Sequence, residues 1–215
     1  MSKLNLKNVT LFCYENRVEN IDKAIEAVEI CKHYADFGSI KFVTNKSVDY
    51  EHCVVDNFQI NSLFDYSKFI LTKLNSYVDK EFVLVVQEDG FILNPDGWMD
   101  EFLNYSYIGA PIYNMNNLVG NGGFSLRSKK LLNLVEIAVN HFGYPSKELF
   151  ANHEDVCVCV LMKPFLEGNG CKFAPFEIAD KFSVETKGKW SCEFGWHGRN
   201  FINLEKDGWI NPLKG

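Results

Sequence analysis

The chain has 215 residues, 47% of them hydrophobic, with 22 Lys and Arg against 28 Asp and Glu and a formal net charge of −6. At about 150 residues per domain this length predicts one large domain, or one domain with a small appendage, long enough to bury roughly 70% of its unfolded surface without disulfides or a structural metal. The 18 Phe, 9 Tyr and 4 Trp exclude a disordered chain, and an acidic balance without any Lys/Arg cluster excludes a nucleic-acid binder.

No membrane span is expected, because the longest clean apolar run, Phe82 to Val86, falls far short of the roughly 20 residues a bilayer requires. Met1 to Lys7 holds no continuous apolar core and no small-residue cleavage site, so no signal peptide is expected. The seven cysteines (Cys13, Cys31, Cys53, Cys157, Cys159, Cys171 and Cys192) form no Cys-x-x-Cys pair. They read as small core residues of a reducing compartment rather than zinc ligands. These features predict a soluble, cytoplasmic protein.

In chain order, Val9-Thr-Leu-Phe-Cys-Tyr14 is β-branched and aromatic and predicts a strand. Asn20 is placed to cap a helix whose apolar positions Ile21, Ala24, Ile25, Val28 and Cys31 recur at helical spacing. Ile40 to Thr44 predicts a second strand, ended by Asn45. Ser62 with Asp65 forms a capping pair ahead of Ile70, Leu71, Leu74 and Val78, a second amphipathic helix. Phe82 to Val86 is wholly apolar, as in a parallel strand covered on both faces. Strand, helix, strand, helix, strand predicts right-handed crossovers and an open α/β sheet. Beyond that point glycines and aromatics increase and elements shorten. Ser128 opens a helix through Leu131, Leu132, Val135, Ala138 and Val139, and Asn152 opens a short one that must end by Pro164. Phe173 to Trp209 is rich in turns and carries no assignable element.

Four stretches carry the chemistry. Gln87-Glu88-Asp89-Gly90 follows the apolar strand directly, where open α/β sheets bind ligands. A carboxylate there can hold a hard divalent cation; the plain alternative is an acidic turn. Val119 to Arg127 contains Gly120, Gly122 and Gly123, which let the backbone approach a ligand, yet it lacks the spacing of a phosphate loop and any nucleophile elbow. In Asn152-His-Glu-Asp155 the residues serve either as a helix start or as a source of a carboxylate base. In Phe194-Gly-Trp-His-Gly198 the histidine can reach a metal or serve as a structural hydrogen-bonding group, and Trp196 offers a face to a sugar.

Taken together, these blocks resemble those of GT-A glycosyltransferases that use nucleotide-diphosphate sugars. The similarity is nearer to a less characterised group sharing Gln87 to Pro95, Tyr107 to Pro111, Gly120 to Ser128, His153 to Val156, Phe173 to Ile178 and Phe194 to Gly198. The resemblance implies a GT-A (Rossmann-like) α/β fold with an open mixed sheet flanked by helices, as a single domain over residues 1–215. Its nucleotide-binding half would span 1–90 and its acceptor and catalytic half 91–215. It further implies that Asp89, His197 and Glu88 hold a metal, Mn2+ or Mg2+, with Gln87 standing where the first aspartate of the metal motif occurs. Tyr14, Glu15, Arg17, Tyr66, Lys68 and Gln87 would bind the nucleotide. Gly122, Gly123, Phe124 and Trp196 would line the sugar and acceptor pocket, and Asp155 with Glu154 would supply the base.

The activity so implied moves a sugar from a UDP- or GDP-linked donor to a glycan or other hydroxyl acceptor, with inversion at the anomeric carbon. Two alternatives use the same residues: a metal-dependent nucleotide-sugar hydrolase, and a non-catalytic nucleotide or carbohydrate-binding module.

Overall fold

Period-two alternation in the first strand organises the core on both sides of a sheet. The computed structural model describes residues 3–113, 118–143, 153–187, 189–198, 204 and 208–214. Its strands are β1 (Leu4–Tyr14), β2 (Ala35–Thr44), β3 (Cys53–Val55), β4 (Phe82–Val86), β5 (Gly90–Ile92), β6 (Tyr107–Gly109), β7 (Pro111–Ile112), β8 (Leu118–Val119), β9 (Phe124–Ser128), β10 (Ser183–Val184) and β11 (Gly195–His197). Val9, Leu11 and Cys13 face one side of β1 and pack under α1 (Val18–Tyr34) through Ala24, Ala27, Val28 and Cys31. Phe12 and Tyr14 face the other side, covered by α2 (Leu63–Tyr77) through Phe69, Ile70 and Leu74, and by Leu132 of α3 (Lys129–Phe142). β4 divides in the same way, Leu84 and Val86 to one side and Val83 and Val85 to the other, which is why its sequence is apolar throughout.

The main sheet runs in the order β3-β2-β1-β4-β9-β6. The first four strands are mutually parallel, while β9 is antiparallel to both β4 and β6. A second sheet, β10-β11-β5, stands beside it, and β7 pairs with β8. The fold is thus a mixed sheet flanked by helices, as expected, with Phe82–Val86 as its predicted strand.

Several boundaries differ from the sequence reading. β1 begins at Leu4 and β2 at Ala35, because Leu4 to Leu6 pair with Ala35 to Phe37 ahead of a register shift. Gly38 permits the close approach at that shift, since a Cβ there would lie 2.0 Å from the Lys7 carbonyl oxygen. α1 starts at Val18, not after Asn20: Glu15 Oε1 accepts the N–H groups of Asn16 (2.9 Å) and Arg17 (2.8 Å), so the turn into the helix is anchored earlier. Ser62 and Ser128 do cap α2 and α3, their hydroxyls accepting from the N–H of Asp65 (3.2 Å) and Leu131 (3.1 Å). Asn152 lies outside the described residues. The helix beyond it, α4 (Glu154–Val156), passes into a π-helical turn over Cys157–Leu161. A separate helix, α5 (Lys163–Gly168), then starts with Pro164 in its first turn, where a missing N–H costs nothing.

The aromatic residues of the second half extend the core that lies under α1. Phe102, Phe124, Phe182, Phe194 and Trp196 are fully buried, with Phe182 at the end of α6 (Phe176–Phe182). Ring centroids lie 5.1 Å apart for Phe102 and Phe182 and 5.4 Å for Phe124 and Phe182, within the range of favourable ring pairs. Among the described residues no helix is long and apolar enough to cross a membrane.

The turn leading into β11 is tied by Glu193, which accepts from the N–H groups of Ser191 (2.7 Å) and Cys192 (3.0 Å) and from the Lys187 ammonium (2.8 Å). Burial alone would raise its pKa, but Lys187 and the two backbone donors outweigh this and bring it down to about 2. A carboxyl whose pKa falls on folding contributes stability that is present above its unfolded value, near 4.5, and lost as pH falls toward the folded value. Glu193→Gln is therefore expected to destabilise the protein by roughly 2–3 kcal/mol at pH 7. It should also flatten the fall in Tm between pH 5 and pH 2. Parallel Tm–pH curves for the variant and parent would contradict this.

Candidate active site

The sheet reverses its order of addition between β1 and β4: from β1 the chain moves outward to β2 and β3, then returns to add β4 on the opposite side. Crevices beyond the carboxyl ends of strands at such a point bind ligands. A cavity of about 740 Å³ lies there. The β1 exit contributes Tyr14, Glu15, Asn16 and Arg17, and the β4 exit contributes Gln87, Glu88 and Asp89. Asn45 and Lys46 follow β2, Gln59 to Leu63 lead into α2, and Tyr66 and His197 complete the lining. Of the residues expected to hold nucleotide and metal, only Lys68 is absent from this lining. It sits on the exposed side of α2, about 200° around the helix from Tyr66.

His197 is far from Asp89 in sequence and is delivered by strand pairing. β11 runs antiparallel to β5 with His197 opposite Gly90, and the Gly198 N–H donates to the Asp89 carbonyl at 3.1 Å. The imidazole Nε2 lies 3.3 Å from Asp89 Oδ1 and 3.1 Å from Gln87 Oε1, while Nδ1 lies 3.1 Å from Glu185 Oε1. Burial would lower the imidazole pKa, but the hydrogen bonds to Asp89 and Glu185 push it up to about 10. Among the described residues no three His, Cys, Asp or Glu side chains surround one point. The groups that converge on the imidazole Nε2 are the Asp89 carboxylate and the Gln87 amide oxygen.

Arg17 spans the switch point. Its guanidinium donates to Glu15 Oε2 and to Glu88 Oε1, each at 2.7 Å, and Asn20 Nδ2 also donates to Glu88 (3.3 Å). Glu88 is thereby held toward Arg17. Glu15 is buried and Arg17 half-exposed, so the expected nucleotide residues form an ion-paired wall.

The glycine-rich loop has a different role from the one expected. Asn121 adopts a left-handed φ of 74°, a conformation asparagine tolerates better than most residues. Its Oδ1 accepts from the N–H groups of Gly123 (2.9 Å) and Phe124 (3.2 Å), and its own N–H donates to Asp155 Oδ2 (3.1 Å). Gly122 and Gly123 leave room for neighbours: a Cβ at 122 would lie 1.8 Å from Glu154 Oε1, and one at 123 would lie 2.0 Å from His197 Nε2. Asn121 Nδ2 also lies 3.1 Å from His197 Nδ1, so this residue ties together Asp155, His197 and the loop. Its position between glycines, where an αL residue is favoured, was the available sequence signal.

Three expected roles need correction. Phe124 and Trp196 are fully buried in the aromatic core rather than lining a sugar pocket. The Phe124 ring fills the space a Cβ on Gly195 would take, 2.0 Å from that atom, because β9 and β11 turn these side chains inward. Glu154 is unsuited to act as a base. It is 3% exposed and paired through both oxygens with Arg127, Oε2 accepting from Nη1 (2.8 Å) and Oε1 from Nη2 (2.7 Å). Burial disfavours the guanidinium charge, but Glu154 more than restores it. No ion pair holds Asp155 among the described residues, and its Oδ1 accepts from the Val156 N–H at 2.8 Å.

Comparison with solved structures identifies the architecture. A glycosyltransferase involved in the glycosylation of the major capsid of PBCV-1 is 15% identical, with a TM-score of 0.50 over 93% of this chain and 96% of that one. The galactosyltransferase LgtC, solved with donor and acceptor sugar analogs, is 14% identical over 88% of this chain and 86% of that one, with a TM-score of 0.47. The apo-form glycosyltransferase GlyE of Streptococcus pneumoniae TIGR4 is 13% identical over 81% of this chain and 46% of that one, with a TM-score of 0.43. At such identities the first likeness is one of fold, of the GT-A kind. Comparison with curated protein sequences gives no match. A family model described as "Protein of unknown function (DUF5672)" matches residues 50–201, which is well over half of the sequence; the chain belongs to the DUF5672 family.

Proposed function

We propose that the chain is a glycosyltransferase that takes a UDP- or GDP-linked sugar together with Mn2+ or Mg2+ and transfers the sugar to a glycan or other hydroxyl acceptor. The observation that carries this reading is the meeting of Asp89, Gln87 and His197 on one wall of the switch-point cavity. A volume of about 740 Å³ lies within the usual range for sites of extended small molecules.

The charge distribution supports a cation. Glu15, Glu88 and Asp89 line the cavity against Arg17 and Lys46, and Arg17 is already shared by two of those carboxylates. Because Arg17 is engaged by two carboxylates, a cation would add positive charge for an entering diphosphate. The donor set also fits. Its ligand separations of 3.1 and 3.3 Å match neighbouring positions around an ion held at about 2.1 Å. Mg2+ and similar hard ions accept few protein ligands and complete their shell with phosphate oxygens and water. When bound by Asp89, Gln87 and His197, the cation would offset negative charge developing on the departing diphosphate. Tyr14, Tyr66 and the amides of Asn45 and Gln59 offer aromatic and hydrogen-bonding surface for a nucleoside. Asp155, fixed by Asn121 beside the His197 loop, is the carboxylate assigned to take the acceptor proton, and attack opposite the leaving group inverts the anomeric configuration.

Calorimetry with UDP and GDP, with and without Mn2+, tests the site, and diphosphate release from a panel of UDP- and GDP-sugars tests the activity. Binding of at least one nucleotide is expected to require Mn2+ and to be lost in Asp89→Ala and His197→Ala. Metal-independent binding that survives both substitutions would favour a non-catalytic module. Full turnover with water and no gain from any acceptor would favour a hydrolase.

A further inference from the structure

We infer that Glu185 is a positioning residue for His197: its carboxylate takes the Nδ1–H and thereby commits Nε2 to the point shared with Asp89 and Gln87. The inference rests on the cation reading above and goes beyond it, since Glu185 lies outside the cavity lining.

Strand register brings the pair together. β10 runs parallel to β11 with Ser183 opposite Gly195 and Val184 opposite Trp196, so Glu185, the first residue beyond β10, emerges beside His197 of β11. Ser183, Val184, Gly195 and Trp196 are buried, and packing fixes this alignment, because a one-residue slip of β11 would put a side chain where Gly195 leaves room for the Phe124 ring. The Glu185 Oε1 to His197 Nδ1 distance is 3.1 Å.

An imidazole needs such a partner. Rotation about its terminal torsion is broad and roughly two-fold, so a flipped ring would present the carbon Cε1 in place of Nε2. A hydrogen bond from one nitrogen decides which tautomer the ring adopts and which nitrogen binds. The backbone of Gly123 closes one side of the ring, and the Asn121 side-chain nitrogen lies 3.1 Å from Nδ1, with its carbonyl oxygen already held by Gly123 and Phe124. Packing thus confines the ring, but among these groups only Glu185 can accept the Nδ1 proton. Removing it leaves the Asn121 amide, which can only donate, beside Nδ1, and so favours the opposite tautomer with the proton on Nε2.

The test is Mn2+ binding followed by electron paramagnetic resonance, with pulsed detection of imidazole nitrogen on the bound ion. Glu185→Ala is expected to weaken Mn2+ binding about 10–100-fold and to remove the nitrogen modulation. Glu185→Gln should restore both to within several-fold, because its amide oxygen can accept the same proton. A merely structural role would move metal-free Tm instead, which is expected to stay near that of the parent in Glu185→Gln. Parent-like affinity and modulation in Glu185→Ala would overturn the inference. A parent chain that binds no Mn2+, or binds it equally after His197→Ala, would overturn the cation reading itself. A measurement that removes no side chain is the 15N spectrum of Mg2+-loaded parent protein: Nδ1 should carry the proton and Nε2 should not, and the reverse pattern would overturn the inference.

Discussion

Asp155→Asn is expected to bind nucleotide and Mn2+ as the parent chain does while transferring sugar about 10²–10⁴-fold more slowly, the range a positioned general base supplies. The substitution keeps the shape of the side chain and an acceptor oxygen for the Asn121 N–H, which now donates to Asp155 Oδ2 at 3.1 Å. What it removes is the second acceptor, which takes the Val156 N–H at 2.8 Å, and the capacity to take a proton from an attacking hydroxyl. The loss should therefore appear in kcat with little change in donor affinity. An unchanged kcat would remove Asp155 from the chemistry, and a loss confined to nucleotide binding would place it on the donor side instead.

Glu154→Ala is expected to act through stability. The Arg127–Glu154 pair is almost wholly buried, with side-chain exposures of 1% and 4%, and removing one partner leaves the other charge without compensation. Breaking such a pair costs about 3–5 kcal/mol, a large share of the roughly 5–15 kcal/mol that holds a typical domain together. Denaturant unfolding should show this as a lower midpoint. The double variant Arg127→Met, Glu154→Leu should recover most of the loss, since apolar replacement of both partners is often neutral or better. Recovery should be incomplete, because Arg127 also donates to Ser125 Oγ (3.0 Å) and to the Gly122 carbonyl (3.3 Å) under the loop. Parent-like stability in Glu154→Ala would mean that the pair is not the anchor of that loop. The adjacent carboxylates thus separate by environment: Glu154 holds the loop from below, and Asp155 remains as the candidate base.

The acidic strand end shows how local chemistry and distant pairing share the site. Gln87, Glu88 and Asp89 could be placed from the apolar strand before them, because a strand covered on both faces leaves its first polar residues at the sheet's carboxyl edge. Glu15 and Arg17 follow from the same reasoning at β1. Their mutual pairing did not, because Glu88 reaches Arg17 across 71 positions in the chain.

Sequence by itself determined the α/β alternation of the first ninety residues, the capping serines Ser62 and Ser128, the wholly buried Phe82 to Val86, and the candidate motifs, since each depends on residues within a few positions of one another. Tertiary structure alone decided which carboxylate of Glu154 and Asp155 is buried, which way Phe124 and Trp196 point, and that Glu185 faces His197. These depend on strand register and on the depth of each element in the core. One residue of register turns a side chain from cavity to interior, and sequence spacing carries no information about which partner strand sets it.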